Sequence, residues 1–114
     1  DRMAEILHDT AGETAERFGL EWRHSDTDAI RPTRCDPKLV EALAAAAQRQ
    51  APGSWRRMPS GALHDAANVS YRMPMAMLFV PSKGGISHNF AEDTERDDLV
   101  LGVEVLSEAV ASLQ

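Results

Sequence analysis

Ala76-Met77-Leu78-Phe79-Val80 is a continuous apolar run bounded by Pro74 and Pro81, and it limits the fold more than any other stretch. Five successive apolar residues leave no polar face for water. The run therefore reads as a strand covered on both sides, as in parallel sheets flanked by helices. Asp36-Pro37 is a helix start, a capping carboxylate followed by a first-turn proline. Leu39, Val40, Leu43, Ala46 and Ala47 form that helix's apolar stripe, and Ala51-Pro52-Gly53 ends it. Residues 54–58 read as a short strand and 64–72 as a short helix. Thr94 with Asp97 resembles a capping box, Asp replacing the usual Glu or Gln. It opens a last helix with Leu99, Val103, Leu106, Val110 and Leu113 on one face. From Asp36 onward the order helix, strand, helix, strand, helix implies an α/β layer with a parallel pair of strands.

Ahead of this layer, Met3, Ile6, Leu7, Ala11, Ala15 and Phe18 recur at helical spacing, and Gly19 is a natural stop. Residues 20–30 alternate loosely from Leu20 and Trp22 and read as a half-exposed strand. Arg31-Pro32-Thr33-Arg34-Cys35 reads as a linker, because proline biases its neighbour to an extended shape, so the sub-boundary falls here. The chain opens on Asp1-Arg2-Met3, already inside a helical pattern, which reads as a truncation or a proteolytic product.

Charge and length narrow the function classes. A formal net charge of -6 over 114 residues leaves no basic face for nucleic acid. The stretch from Met73 to Val80 is too short to span a membrane. A single cysteine, Cys35, permits no internal disulfide and no cysteine-built zinc finger, which suits a reducing cytoplasm.

The chemistry concentrates in two Gly/Ser-rich loops on either side of the 76–80 run. Pro59-Ser60-Gly61-Ala62-Leu63-His64-Asp65-Ala66 precedes it, and Gly84-Gly85-Ile86-Ser87-His88-Asn89 follows it. Glycines let backbone approach an ion or substrate closely. His88 lies beyond the carboxyl end of the expected strand, where sites of open α/β sheets form, and neutral imidazole is a common metal ligand. One histidine does not hold an ion, and the chain has no HxxxH pair. His64 stands at a loop-to-helix junction, where imidazole and backbone N–H groups could stabilise a developing oxyanion. The alternative is that Asp65 caps the helix and His64 only packs. Glu92 reads as a solvated face or a cap; the remoter alternative is that, close to His88 in sequence, it orients the metal-bound ring. Ser60, Ser82 and Ser87 become nucleophile candidates only with a base alongside. His8 and His24 read as surface residues, and Asp26, Asp28, Asp93, Asp97 and Asp98 as solvated faces or caps.

These two loops, with Val80-Pro81-Ser82 between them, resemble the C-terminal third of the dinuclear-zinc amidohydrolases. That family comprises N-carbamoyl-L-amino-acid hydrolases, β-ureidopropionases and allantoate amidohydrolases, relatives of the zinc peptidases. The resemblance implies an α/β catalytic domain with an inserted lid domain that makes a homodimer. Residues 1–31 would be the end of the lid and 32–114 the C-terminal part of the catalytic domain. It also implies that His88 is the last metal ligand, and that His64, with the backbone at Leu63, contacts the substrate's amide or ureido group. The family usually has glycine at the position of Leu63, so the extra side chain bears on specificity or loop position. Two zinc or manganese ions would activate water against a carbamoyl or amide carbon. The other ligands, the general-base glutamate and the arginine for the substrate carboxylate are absent from these residues, so no catalytic residue is assigned here. The 114 residues alone would be inactive and would bind no metal stably. Two alternatives stay open: a non-catalytic binding or dimerisation module, and a zinc dipeptidase or deacylase of the same superfamily.

Overall fold

Helix α1, Arg2–Phe18, ends as its sequence dictates. Gly19 takes a φ of +63°, Leu20 N–H donates to the Ala15 carbonyl at 2.8 Å and Gly19 N–H to that of Glu16 at 3.2 Å. This paired closure satisfies carbonyls that the helix leaves open. The computed structural model describes residues 2–25 and 32–114, and the chain divides into two compact units, Asp1–Arg31 and Pro32–Gln114. In the first unit the apolar stripe of α1 forms, but Met3, Ile6, Leu7 and Phe18 are exposed and Ala15 is buried. Residues 20–25 form no strand. The rest of the expected strand, Asp26, Asp28 and the linker's Arg31 lie outside the described residues.

The second unit is organised by two helices, α2 (Pro37–Gln50) and α4 (Arg96–Ala111), with the five-residue helix α3 (Asp65–Val69) between them in sequence. Asp36 caps α2 as expected, its Oδ1 accepting from the N–H groups of Lys38 at 2.9 Å and Leu39 at 3.1 Å, with Pro37 in the first turn. Replacing Asp36 by alanine should therefore cost about 1 kcal/mol, most of it restored by asparagine, read as thermal midpoints. The Asp36 N–H also donates to the Met75 carbonyl at 2.7 Å, which fixes the start of the apolar run beside the start of α2.

Ala46, Ala47, Val105 and Ala109 form the core between α2 and α4, with Ala42, Leu43, Trp55 and Leu101 packed around it. Alanines on α2 let the helix axes approach closely, since helix separation follows side-chain size. Arg49 and Gln50 both bond to Glu108 across the pair, Gln50 Nε2 at 2.7 Å. Trp55 Nε1–H donates to Gln48 Oε1 at 2.8 Å and folds the chain after α2 back over it.

Two expectations for α4 are corrected. Thr94 and Asp97 form no capping box: the N-cap is Glu95, without a side-chain cap bond, and Thr94 N–H donates to Asp93 Oδ1 at 2.9 Å. The face through Leu99, Val103, Leu106, Val110 and Leu113 is not the buried one, each of these being about half exposed, whereas Val105 and Ala109 are buried. The helix is apolar on more than one side, so its period alone does not select the side that meets α2. Gly102 faces Val80, and a Cβ built on it would lie 2.6 Å from Val80 Cγ1.

The described residues contain no strand. Residues 54–58 and 76–80, expected as strands, run without a ladder, and no parallel pair forms among them. A strand is stabilised by hydrogen bonds to a neighbour, and among the described residues no second segment runs alongside to supply them. Leu78, Phe79 and Val80 are accordingly part-exposed rather than covered on both sides.

Candidate functional site

The two loops that carry the histidines are shaped by different means. In the first, Ser60 Oγ accepts from the Ala62 N–H at 3.2 Å and lies 2.7 Å from His64 Nε2. The His64 ring also packs against Phe79, centroids 5.4 Å apart at 56° between planes. His64 is thus tied both to its own loop and to the apolar run, and is half-buried. It occupies the N-cap position of α3 in extended backbone, with no side-chain cap bond, and Asp65 lies inside the helix rather than capping it. With only five residues, α3 contributes a single turn's N–H groups to the junction. Leu63 beside it is exposed.

The Ser60–His64 contact supplies what none of the three serines showed in sequence, a base beside a hydroxyl. Among the described residues no carboxylate bonds the other ring nitrogen, so the third member of a nucleophilic triad is missing there. Ser82 instead closes its own loop, its hydroxyl donating to the carbonyls of Ile86 and Asp93.

That second loop, residues 82–93, holds His88. At its neck Lys83 N–H donates to the Asp93 carbonyl at 2.8 Å, and Lys83 Nζ pairs with Asp93 Oδ2 at 2.5 Å and Glu95 Oε1 at 3.3 Å. The bond to Lys83 holds the Asp93 carboxyl below the usual carboxylate range, and bonds to Asp93 and Glu95 raise the Lys83 ammonium above its own. The chain then turns through Gly84 and Gly85, at φ of +64° and +68°, a region in which a Cβ would be strained. His88 follows at φ +56°, the one non-glycine residue with positive φ among those described. Its backbone N–H donates to Glu92 Oε2 at 2.8 Å, so the exposed Glu92 caps the main chain of this turn, in line with the cap reading, and does not hold the ring as the remoter alternative had it. Asn89 Oδ1 accepts from Ala91 N–H at 2.9 Å, and Glu92 N–H donates to the Asn89 carbonyl at 3.0 Å. His88 is exposed, and its ring makes no hydrogen bond, ion pair or ring contact among the described residues.

Both histidines therefore flank the same apolar run, His64 by packing on Phe79 and His88 by following it in the chain. No hydrogen bond or ring contact joins the two imidazoles. Among the described residues no group of three or more His, Cys, Asp or Glu is placed to hold a metal ion. The His88 ring, with both nitrogens unengaged, has the chemistry of one ligand only. In the first unit His8 and His24 are exposed, as expected, and His8 has ring neighbours. It meets Trp22 edge-on at 6.0 Å and His24 at 5.5 Å, a trio that no sequence period signals because it joins α1 to the segment beyond its stop.

Comparison with known proteins bears on the same residues. The N-carbamoyl-L-amino-acid amidohydrolase of Rhizobium meliloti is 36% identical over 110 residues, covering 96% of this chain and 26% of that protein. The allantoate amidohydrolase of Escherichia coli is 42% identical over 76 residues, 67% of this chain and 18% of that protein. Among solved structures, an amidase of the hydantoinase/carbamoylase family from Burkholderia phymatum superposes with a TM-score of 0.63 at 43% identity, covering 71% of this chain and 18% of that one. The chain thus spans about a quarter or less of the length of these relatives. The model of the peptidase family M20/M25/M40 matches residues 7–112, nearly the whole of the chain. The chain belongs to this family.

Proposed function

We propose that the protein carrying these residues is a metal-dependent amidohydrolase that cleaves linear C–N bonds of small molecules, N-carbamoyl-L-amino acids or allantoate. The observation that carries the reading is His88: an exposed imidazole, free of protein partners among the described residues, at the tip of a loop whose neck and turn are both tied down. Such a ring suits a single coordination position. The remaining ligands and the general base would come from outside the described residues.

When bound, two divalent ions, zinc or manganese, make water nucleophilic near neutral pH and polarise the scissile carbonyl. His88 would take one place in that set, from a backbone tied at its N–H by Glu92. His64 contacts the carbonyl or ureido group. If Ser60 donates to Nε2, the ring proton resides on Nδ1, which is then the donor His64 has for the carbonyl oxygen. Leu63, exposed beside it, adds apolar surface where the substrate's side chain would lie. The same reading makes 1–31 the end of a lid and dimerisation domain and 32–114 part of the catalytic domain, with 76–80 a strand of its parallel sheet. It also has the protein acting as a cytoplasmic homodimer. No helix among the described residues is long and apolar enough to cross a membrane.

The test is to purify the whole protein, load it with zinc or with manganese, and follow ammonia release from N-carbamoyl-L-amino acids and from allantoate. Turnover that a chelator abolishes and metal restores is the expected result. No release from either substrate class with either metal would overturn the assignment.

A further inference from the structure

We infer that Glu92 is a positioning residue: its carboxylate locks the backbone of His88 in the left-handed conformation that decides where ring 88 points. The inference rests on the reading of His88 as a metal ligand and extends it to a group outside the ligand set. Left-handed backbone, the φ of +56° at His88, is unfavourable for a residue with a Cβ, so something must hold it there. Glu92 Oε2 accepts the His88 N–H at 2.8 Å, and a hydrogen bond to a charged acceptor is stronger than one to a neutral group, which offsets that cost. The carboxylate forms no ion pair among the described residues, so its bonding is directed at the main chain. Its own N–H donates to the Asn89 carbonyl at 3.0 Å, which fixes Glu92 on the same turn it closes. The neck bonds between Lys83 and Asp93 stop the loop from relaxing as a whole. The χ angles of His88 therefore start from a preset Cα–Cβ direction, and coordination need not pay for ordering the loop.

The experiment compares Glu92→Ala and Glu92→Gln in the whole protein by amide hydrogen exchange at His88 and by zinc and manganese affinity. Alanine removes the acceptor, whereas the glutamine carbonyl keeps it. Glu92→Ala should accelerate exchange at His88 about tenfold and weaken metal binding about 10-fold or more, the range seen when groups supporting a ligand are removed. Saturating metal should then restore kcat with KM unchanged, which a collapsed loop would not allow. Glu92→Gln should stay near the parent in both measurements. Unchanged exchange in Glu92→Ala, accelerated exchange with unchanged affinity, or a glutamine variant as impaired as alanine would each overturn the inference. His88→Ala separates the two claims: unaltered metal content there would refute the ligand reading, while exchange at position 88 would still judge the clamp.

Discussion

Replacing His88 by alanine in the whole protein is expected to lower turnover of its substrate by on the order of 10²–10³-fold, the loss typical when one stabiliser of transition-state charge is removed. The same substitution should leave thermal stability nearly unchanged. His88 is exposed and its ring bonds nothing among the described residues, and surface changes of that kind stay within about 0.5 kcal/mol. Alanine inherits the same positive φ, so the backbone term does not change sign either. The pairing of collapsed activity with intact stability is the signature of a side chain kept for chemistry. Metal content and a melting curve on one preparation check it. A large drop in melting temperature, or activity close to the parent, would mean that the ring serves another purpose.

Replacing Gly102 by valine should give the largest loss of stability, about 2–3 kcal/mol, because the new side chain is driven into a packed contact. A Cβ at position 102 already lies 2.6 Å from Val80 Cγ1, well inside van der Waals contact, before valine's own methyl groups are added. Val80 is β-branched and stiff at χ1, so it does not swing aside cheaply. The better helix propensity of valine returns only about 0.5 kcal/mol. Val80→Ala removes the opposing methyl, so the double variant should recover part of the loss, with a coupling of about 1 kcal/mol or more in a double-mutant cycle. Additive effects of the two substitutions would show that α4 does not rest on the apolar run through this glycine.

Features whose physics is local could be read before any fold was known. The Asp36 cap and the Gly19 stop involve partners within five residues, and both form as their sequences imply. The Thr94 box failed on the same scale, because Asp93 takes the Thr94 N–H and the helix starts one residue later. The family was legible from the motifs at 59–66, 80–82 and 84–89. Sequence spacing marks Glu92 as a cap candidate close to His88, but spacing alone does not tell whether such a carboxylate meets the ring or the main chain. The Ser60–His64 pair lies in a loop, where no period says which side chains meet.

What the amino-acid order determined here is the placing of helix ends, the two histidine loops and the kinship they carry, since each depends on contacts over a few residues. Only the tertiary structure decided which side of α4 is buried, that Gly102 seats against Val80, that Phe79 backs His64, and that the N–H of His88 is the group Glu92 holds. Those outcomes depend on competition among several apolar sides and several acceptors. That competition is settled by which surfaces meet in space, not by the order in which they were synthesised.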